Sequence, residues 1–118
     1  MKLLMILGFF LSVEVSASNI SFDCVTADDY IQIAGKASQR SRQVVGQLKL
    51  TVEGEEKPVK IKQALRVFKT ADEFMLVILD RKLEMPLVFI TVQKDEANLY
   101  SGLMDYKTET FDVRCQIE

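Results

Sequence analysis

Apolar and polar side chains alternate one by one in short segments at both ends of this chain and at several places between them. In residues 20–24 every second side chain is apolar, and residues 111–117 repeat the pattern. Successive side chains of a β-strand point to opposite faces of the sheet, so this pattern places one set in a core and the other in water. The alternation therefore predicts an all-β protein whose strands each have one buried face.

Two longer segments in the middle of the chain follow the same pattern. Residues 44–52 alternate, residues 53–56 contain a glycine suited to a tight turn, and residues 59–67 alternate again. The two alternating segments are predicted to form one long antiparallel hairpin. A short early strand is predicted at residues 30–34.

Residues 74–79 form a continuous apolar run, which is compatible with either a buried strand or a helix. The strand is favoured because the run is short and because residues 87–92, which follow it, are rich in β-branched side chains. Pro86 suits the entrance of that next strand, where no backbone donor is needed. Residues 98–106 are predicted to form a further strand, with a bulge at Gly102.

About eight short strands joined by short turns are predicted in total. An antiparallel meander of this size folds as a small β-barrel or as a two-layer β-sandwich, and the sequence leaves both open. Cys24 and Cys115 are the only cysteines, and both fall on the apolar faces of their strands. We expect a structural disulfide between the first and last strands. This bridge suits a closed barrel somewhat better, because the two strands would then be neighbours.

The amino-terminal residues have the composition of a secretory signal peptide. Lys2 is followed by an uncharged apolar stretch at residues 3–13, and the small residue Ala17 stands at the expected cleavage site. The apolar stretch is shorter than the roughly 20 residues that span a bilayer. We therefore expect residues 1–17 to be removed and residues 18–118 to form a single β domain with no transmembrane anchor. The expected location is secreted or periplasmic, and a bacterial source is favoured.

The chain contains no histidine, which excludes catalytic triads, proton shuttles and ordinary zinc sites that depend on imidazole. With both cysteines in a disulfide, no thiolate remains as a nucleophile or metal ligand. The five glycines are too scattered for a phosphate-binding loop. We expect no metal, no cofactor and no enzymatic activity. A carboxylate-dependent hydrolase is the least favoured alternative, because its candidate acidic pairs lie in predicted solvated turns: residues 28–29, 72–73 and 95–96.

Charge is distributed unevenly along the chain, although the net charge is only −2. Residues 36–69 carry nine basic and three acidic side chains, whereas residues 70–118 carry five basic and ten acidic ones. On the predicted hairpin, four basic side chains share the outer face, which is the candidate anion-binding face: Lys49, Lys60, Lys62 and Arg66.

Such a face attracts an anionic surface or an acidic protein. The alternative is an ordinary solvated strand face, whose lysines discourage pairing with other chains. No nucleic acid is expected, because only Phe68 provides an aromatic ring in the basic segment.

The leading functional hypothesis is a small, non-enzymatic binding or interaction module. The alternative is a β-barrel carrier of a small apolar ligand, since an eight-stranded barrel either is filled by side chains or holds one small ligand. A carrier would require an apolar cavity, and its expected lining residues are Phe22, Met75, Phe89 and Met104.

Overall fold

The structure is a computed structural model that describes residues 19–96 and 98–118. The predicted signal peptide and its cleavage site lie outside the described residues. Nine strands and one 3₁₀ turn follow one another in this order: β1 (Asn19–Thr26), β2 (Ile31–Ser38), β3 (Gln43–Val52), β4 (Glu55–Lys57), the 3₁₀ turn (Ile61–Gln63), β5 (Ala64–Lys69), β6 (Glu73–Leu79), β7 (Pro86–Glu96), β8 (Leu99–Tyr106) and β9 (Glu109–Ile117). In the part of the chain that the structure describes, no helix has the length and apolarity needed to cross a membrane.

The strands form a single antiparallel sheet with the order β4-β3-β2-β1-β9-β8-β7-β6-β5. Strands that are consecutive in the chain pair with each other, except for β4 and β5, which form the two edges of the sheet. The pairing of β1 with β9 joins the two halves. The predicted all-β antiparallel fold is confirmed, with nine strands where about eight were expected. The sheet curls into a half-barrel, so the architecture is barrel-like rather than two separate layers.

The curled sheet closes on its own apolar face. The rings of Phe22 on β1 and Phe74 on β6 lie with their centroids 5.5 Å apart, although these two strands do not pair. The edges of the sheet also approach each other, because the backbone N–H of Val67 on β5 donates to the carbonyl of Arg42, just before β3, at 3.0 Å. The inward side chains of both halves thus share one core, and its removal from water is the main force that stabilises the fold.

The disulfide joins the first and last strands, as predicted. Cys24 and Cys115 occupy directly opposed positions on β1 and β9, and their Cα atoms lie 4.0 Å apart. Both residues are buried in the core. The bridge therefore lies at the middle of the strand order, where the two halves of the sheet meet.

The long hairpin predicted from residues 44–52 and 59–67 is wrong. β3 pairs with only the three residues of β4, and β5 pairs with β6 instead. Pro58 directly follows β4 and has no N–H with which to continue the ladder, and the 3₁₀ turn then redirects the chain. The predicted tight turn is present, because Glu53 and Gly54 both have positive φ, as a two-residue hairpin loop of this kind requires.

The other strand predictions have mixed outcomes. Residues 74–79 lie in a strand, Pro86 begins β7, and the short strand expected at residues 30–34 is the longer β2. The bulge expected at Gly102 is absent, because β8 stays in regular register with β7 and β9 at this position. A Cβ atom on residue 102 would lie 2.1 Å from the carbonyl oxygen of Thr91, so the close approach of β7 explains the glycine.

Candidate functional site

Three cationic side chains line one concavity near the end of β6. Lys60 and Lys62 come from the start of the 3₁₀ turn, and Arg81 comes from the loop between β6 and β7. Together with Pro58 and Gln63 they enclose a volume of about 350 Å³. None of the described residues that line the concavity is acidic, and the ion pairs found among the described residues do not involve the three cations. We call Lys60, Lys62 and Arg81 the basic cluster.

A buried glutamine holds the 3₁₀ turn against the end of β6. The Oε1 atom of Gln63 accepts a hydrogen bond from the N–H of Lys60, and its Nε2 donates to the carbonyl of Leu79, each at 3.0 Å. A buried amide is stable only where its polar atoms find partners. Because one partner lies before the turn and the other at the last residue of β6, these two bonds bring Lys60 and Lys62 beside the loop that carries Arg81.

Asp80 organises the loop on which Arg81 lies. Its carboxylate accepts the backbone N–H of Glu84 at 3.0 Å, and its own N–H donates to the carbonyl of Met85 at 2.8 Å. The bond from Glu84 is the main cause that lowers the pKa of Asp80, since a hydrogen bond to a carboxylate favours the charged form. The carboxylate is therefore engaged by the loop backbone, and it does not line the concavity.

The four residues of the predicted anion-binding face lie on different elements of the structure. Lys60 and Lys62 lie together in the basic cluster. Lys49 lies on β3, with its Nζ 4.0 Å from a carboxylate oxygen of Glu56 in an exposed ion pair. Arg66 lies on the outer face of β5, which pairs with β6. The long hairpin on which the shared face was predicted does not form, because β5 pairs with β6 rather than with β3.

Arg81 is the one residue of the basic cluster that was not predicted from the sequence. In the sequence it belongs only to a polar turn after an apolar run, far from the basic segment at residues 36–69. The sequence feature that could have pointed to Arg81 is Gln63, a long amide side chain among apolar and basic neighbours. A buried amide predicts a bond to another element, but the sequence does not say which element provides the partner.

The interior of the half-barrel is occupied by its own side chains. Phe22 and Met104 lie in the core, whereas Met75 and Phe89 lie on the outer face of their strands. The four residues that were expected to line an apolar ligand cavity therefore do not face one another. This arrangement gives a carrier function no support.

Two turn carboxylates have lowered pKa values. The hydroxyl of Thr26 donates to Asp28 at 2.8 Å and is the main cause that lowers the pKa of Asp28, with a further contribution from the N–H of Tyr30. Asp80 shifts in the same direction. A general acid needs the opposite shift, because it must stay protonated near neutral pH. Asp28 and Asp80 therefore act as hydrogen-bond acceptors that stabilise their turns.

The acidic pairs of the hydrolase alternative are spread over the sheet. Residues 28–29 lie in the turn after β1, residues 72–73 at the start of β6, and residues 95–96 at the end of β7. Across residues 19–96 and 98–118, no group of three or more acidic or cysteine side chains is placed so that it could hold a metal ion.

Comparison with protein-family models, with curated proteins and with solved structures finds no match to this chain. What the protein does must therefore be inferred from the basic cluster and from the surfaces around it.

Proposed function

We propose that this protein is a small exported binding module, without catalytic activity, that recognises an anionic partner through the basic cluster. The observation that carries the proposal is the convergence of Lys60, Lys62 and Arg81 on one concavity, whose lining among residues 19–96 and 98–118 includes no acidic side chain. The disulfide supports an exported protein, because structural disulfides persist mainly outside the cytosol. A secreted or periplasmic location, removal of residues 1–17 and a bacterial source belong to the same proposal.

The chemistry of the three side chains suits carboxylate, sulfate or phosphate groups displayed on a surface. The guanidinium of Arg81 offers parallel N–H donors that match a pair of anionic oxygens, and the ammonium groups of Lys60 and Lys62 add compact positive charges. All three side chains are exposed. The attraction between these cations and an anionic partner is therefore sensitive to salt, because the Debye length falls from about 10 Å at 0.1 M to about 3 Å at 1 M. An anionic surface or an acidic protein is the class of partner that fits.

Retention on an immobilised acidic polysaccharide, measured across a salt series, tests this proposal. The exported protein should be retained at low salt and released as the salt concentration rises. Lys60→Glu/Lys62→Glu should elute at clearly lower salt, because the exchange replaces attraction by repulsion at the concavity. Arg81→Glu should act in the same direction. These positions are exposed, so the circular dichroism spectrum and the melting temperature should stay close to those of the unchanged protein.

Lys36→Glu/Lys94→Glu is the matched control. It changes the net charge by the same amount as the first double variant, at exposed strand positions outside the basic cluster. Its retention should stay close to that of the unchanged protein. Equal losses of retention in the two double variants would show that only net charge matters and would contradict the proposal, as would a lack of retention at low salt.

Removal of the signal peptide is tested by mass spectrometry of the exported protein. The measured mass should correspond to residues 18–118, and an intact amino terminus would refute the removal.

A further inference from the structure

The outer face of the sheet carries an apolar patch that extends across β5, β6, β7 and β8. Phe89 and Leu103 are 38% and 53% exposed, and their apolar neighbours on this face are partly exposed. The strand register places the outward side chains in two adjacent rows, which we call the outer patch: Arg66-Val77-Phe89-Asp105 and Phe68-Met75-Thr91-Leu103. The first row begins with a basic residue and ends with an acidic one.

The composition of β6 is that of a strand with two covered faces. Its inward residues fill the core, and its outward residues Met75, Val77 and Leu79 are apolar as well. The outward residues of β9, by contrast, are all polar: Thr110, Asp112, Arg114 and Gln116. A strand in which apolar and polar side chains alternate has one face in water, whereas a strand with apolar side chains on both faces is typical of a sheet that is covered on both sides. Because a contiguous exposed apolar patch marks an interaction surface, we infer that another molecule covers the outer patch.

We propose that the outer patch is a homodimer interface in which two copies pack face to face. The two-fold axis runs parallel to the strands and passes between β6 and β7. Rotation about this axis places β5 of one copy over β8 of the other, and β6 over β7. Val77 then meets Phe89 of the second copy, and Phe68 meets Leu103, so that apolar side chains face one another in both rows.

The charges at the two ends of the first row are matched by the same rotation. Arg66 and Asp105 lie three strands apart, which is roughly 14 Å at the usual strand spacing. The rotation brings Arg66 of each copy over Asp105 of the other, which gives two symmetric ion pairs at the rim. Thr110 donates to Oδ1 of Asp105 at 2.7 Å and leaves Oδ2 for the arginine. A surface that is complementary to itself in this way favours a second copy as the occupant.

The size of the outer patch predicts a weak dimer. Four strands and two rows of side chains cover roughly 300 Å² at the usual spacings of a sheet. Leu83 and Met85, in the loop between β6 and β7, add exposed apolar surface beside it. The apolar centre is still smaller than the roughly 800 Å² that each partner buries in a standard interface. We therefore expect dimerisation to depend strongly on protein concentration.

Sedimentation equilibrium of the chain from residue 18 to residue 118, over a wide range of concentrations, tests the dimer. Arg66→Glu and Asp105→Arg should each raise the dissociation constant by about tenfold, because each places like charges opposite each other at two symmetric positions. The double variant Arg66→Glu/Asp105→Arg exchanges the signs and restores the attraction. It should dimerise nearly as well as the unchanged protein. This rescue separates a contact across the interface from an effect on folding or on net charge.

Substitutions at exposed apolar positions complete the test. Leu103→Lys should abolish dimerisation while the circular dichroism spectrum is retained, because Leu103 lies in the patch and is largely exposed. Val45→Asp, at an exposed position on β3 outside the patch, should leave the dissociation constant unchanged. A protein that is monomeric at all concentrations, or a double variant without rescue, would overturn the proposal. Binding of a monomer to neutral lipid vesicles through Leu103 would overturn it too, since a lipid surface would then be the occupant. None of the substituted residues belongs to the basic cluster, so this result and the retention result are independent.

Discussion

At the scale of single residues, two glycines permit the close approach of neighbouring groups inside the sheet. A Cβ atom on Gly35 would lie 2.8 Å from the ring of Phe22, which occupies the space over this glycine on the adjacent strand. At Gly102 the obstacle is the backbone of β7, with the carbonyl oxygen of Thr91 at 2.1 Å from the same atom. A ring end can shift slightly, but a central strand cannot move without loss of its ladder bonds. Gly102 is therefore the more constrained of the two positions.

We expect Gly102→Ala to lower the free energy of unfolding by about 1–3 kcal/mol, the usual cost of adding a group to a tightly packed site. Gly46→Ala is the matched control, because nothing lies within 4 Å of a Cβ atom there. The control should be neutral or slightly stabilising, since alanine reduces the conformational entropy of the unfolded chain. Urea unfolding followed by circular dichroism measures both variants. Equal stability of the two would show that β7 can move aside, and our interpretation of Gly102 would be wrong.

At the scale of secondary structure elements, the 3₁₀ turn depends on one side chain more than on its own backbone. The turn has only three residues, and so short a helix is not stable by its own hydrogen bonds. Gln63 provides additional hydrogen bonds, because its side chain bonds to the backbone of Lys60, just before the turn, and to the backbone of Leu79 at the end of β6. A buried polar contact therefore helps to fix the position of the turn, and with it the basic cluster, together with the pairing of β5 with β6.

Gln63→Met keeps the volume of this side chain but removes both hydrogen bonds. The N–H of Lys60 and the carbonyl of Leu79 would lose their partner, so we expect the free energy of unfolding to fall by about 1–3 kcal/mol. Retention on the acidic polysaccharide should also weaken, because Lys60 and Lys62 are no longer held beside Arg81. Gln43→Met, at an exposed position, is the control and should change neither quantity. Loss of stability without any loss of retention would separate Gln63 from the basic cluster.

At the scale of the whole molecule, the pairing of β1 with β9 holds the two halves of the sheet together. Every other pairing joins strands that are near each other in the chain, whereas this one joins its two ends. The disulfide reinforces it at residues that are 91 positions apart. Cross-linking so long a segment removes many unfolded conformations, which raises the free energy of the unfolded state relative to the folded one.

Cys24→Ala/Cys115→Ala should lower the free energy of unfolding by roughly 4–5 kcal/mol on the chain-entropy model. Urea unfolding with and without a reducing agent gives the measurement. The reduced, otherwise unchanged protein keeps both sulfur atoms in the core and so separates the cross-link from the lost side-chain volume. It should be destabilised by a similar amount. A double variant with the same urea midpoint as the oxidised protein would show that the bridge does not stabilise the fold.

Strand faces were predictable from the sequence because they depend on neighbours along the chain. Residues 20–24 and 111–117 are strands with their apolar side chains inward, and this placed Cys24 and Cys115 on buried faces. Strand partners were less predictable. The pattern of residues 59–67 fits any neighbour that has one apolar face, so it could not show that β5 pairs with β6 rather than with β3.

The same distinction applies to the basic cluster. Lys60 and Lys62 were recognisable from local charge, because both lie in a basic segment of the chain. Arg81 was not, because contacts between distant residues bring it beside the two lysines: the bond between Gln63 and the backbone of Leu79 and the pairing of β5 with β6. No local sequence pattern around Arg81 indicates that it lies near Lys60 and Lys62, and none around the two lysines indicates Arg81.

The sequence alone determined the all-β class, the bridge between Cys24 and Cys115 and the lack of imidazole chemistry. These properties follow from residue types and from an alternation that each strand displays independently of its partners. Only the tertiary structure decided that the sheet curls into a half-barrel, that no other described segment of the chain covers the outer face of β6, and that Arg81 joins Lys60 and Lys62. Curvature and pairing arise from contacts between distant residues, and strands with the same alternation are compatible with several partners until those contacts select one.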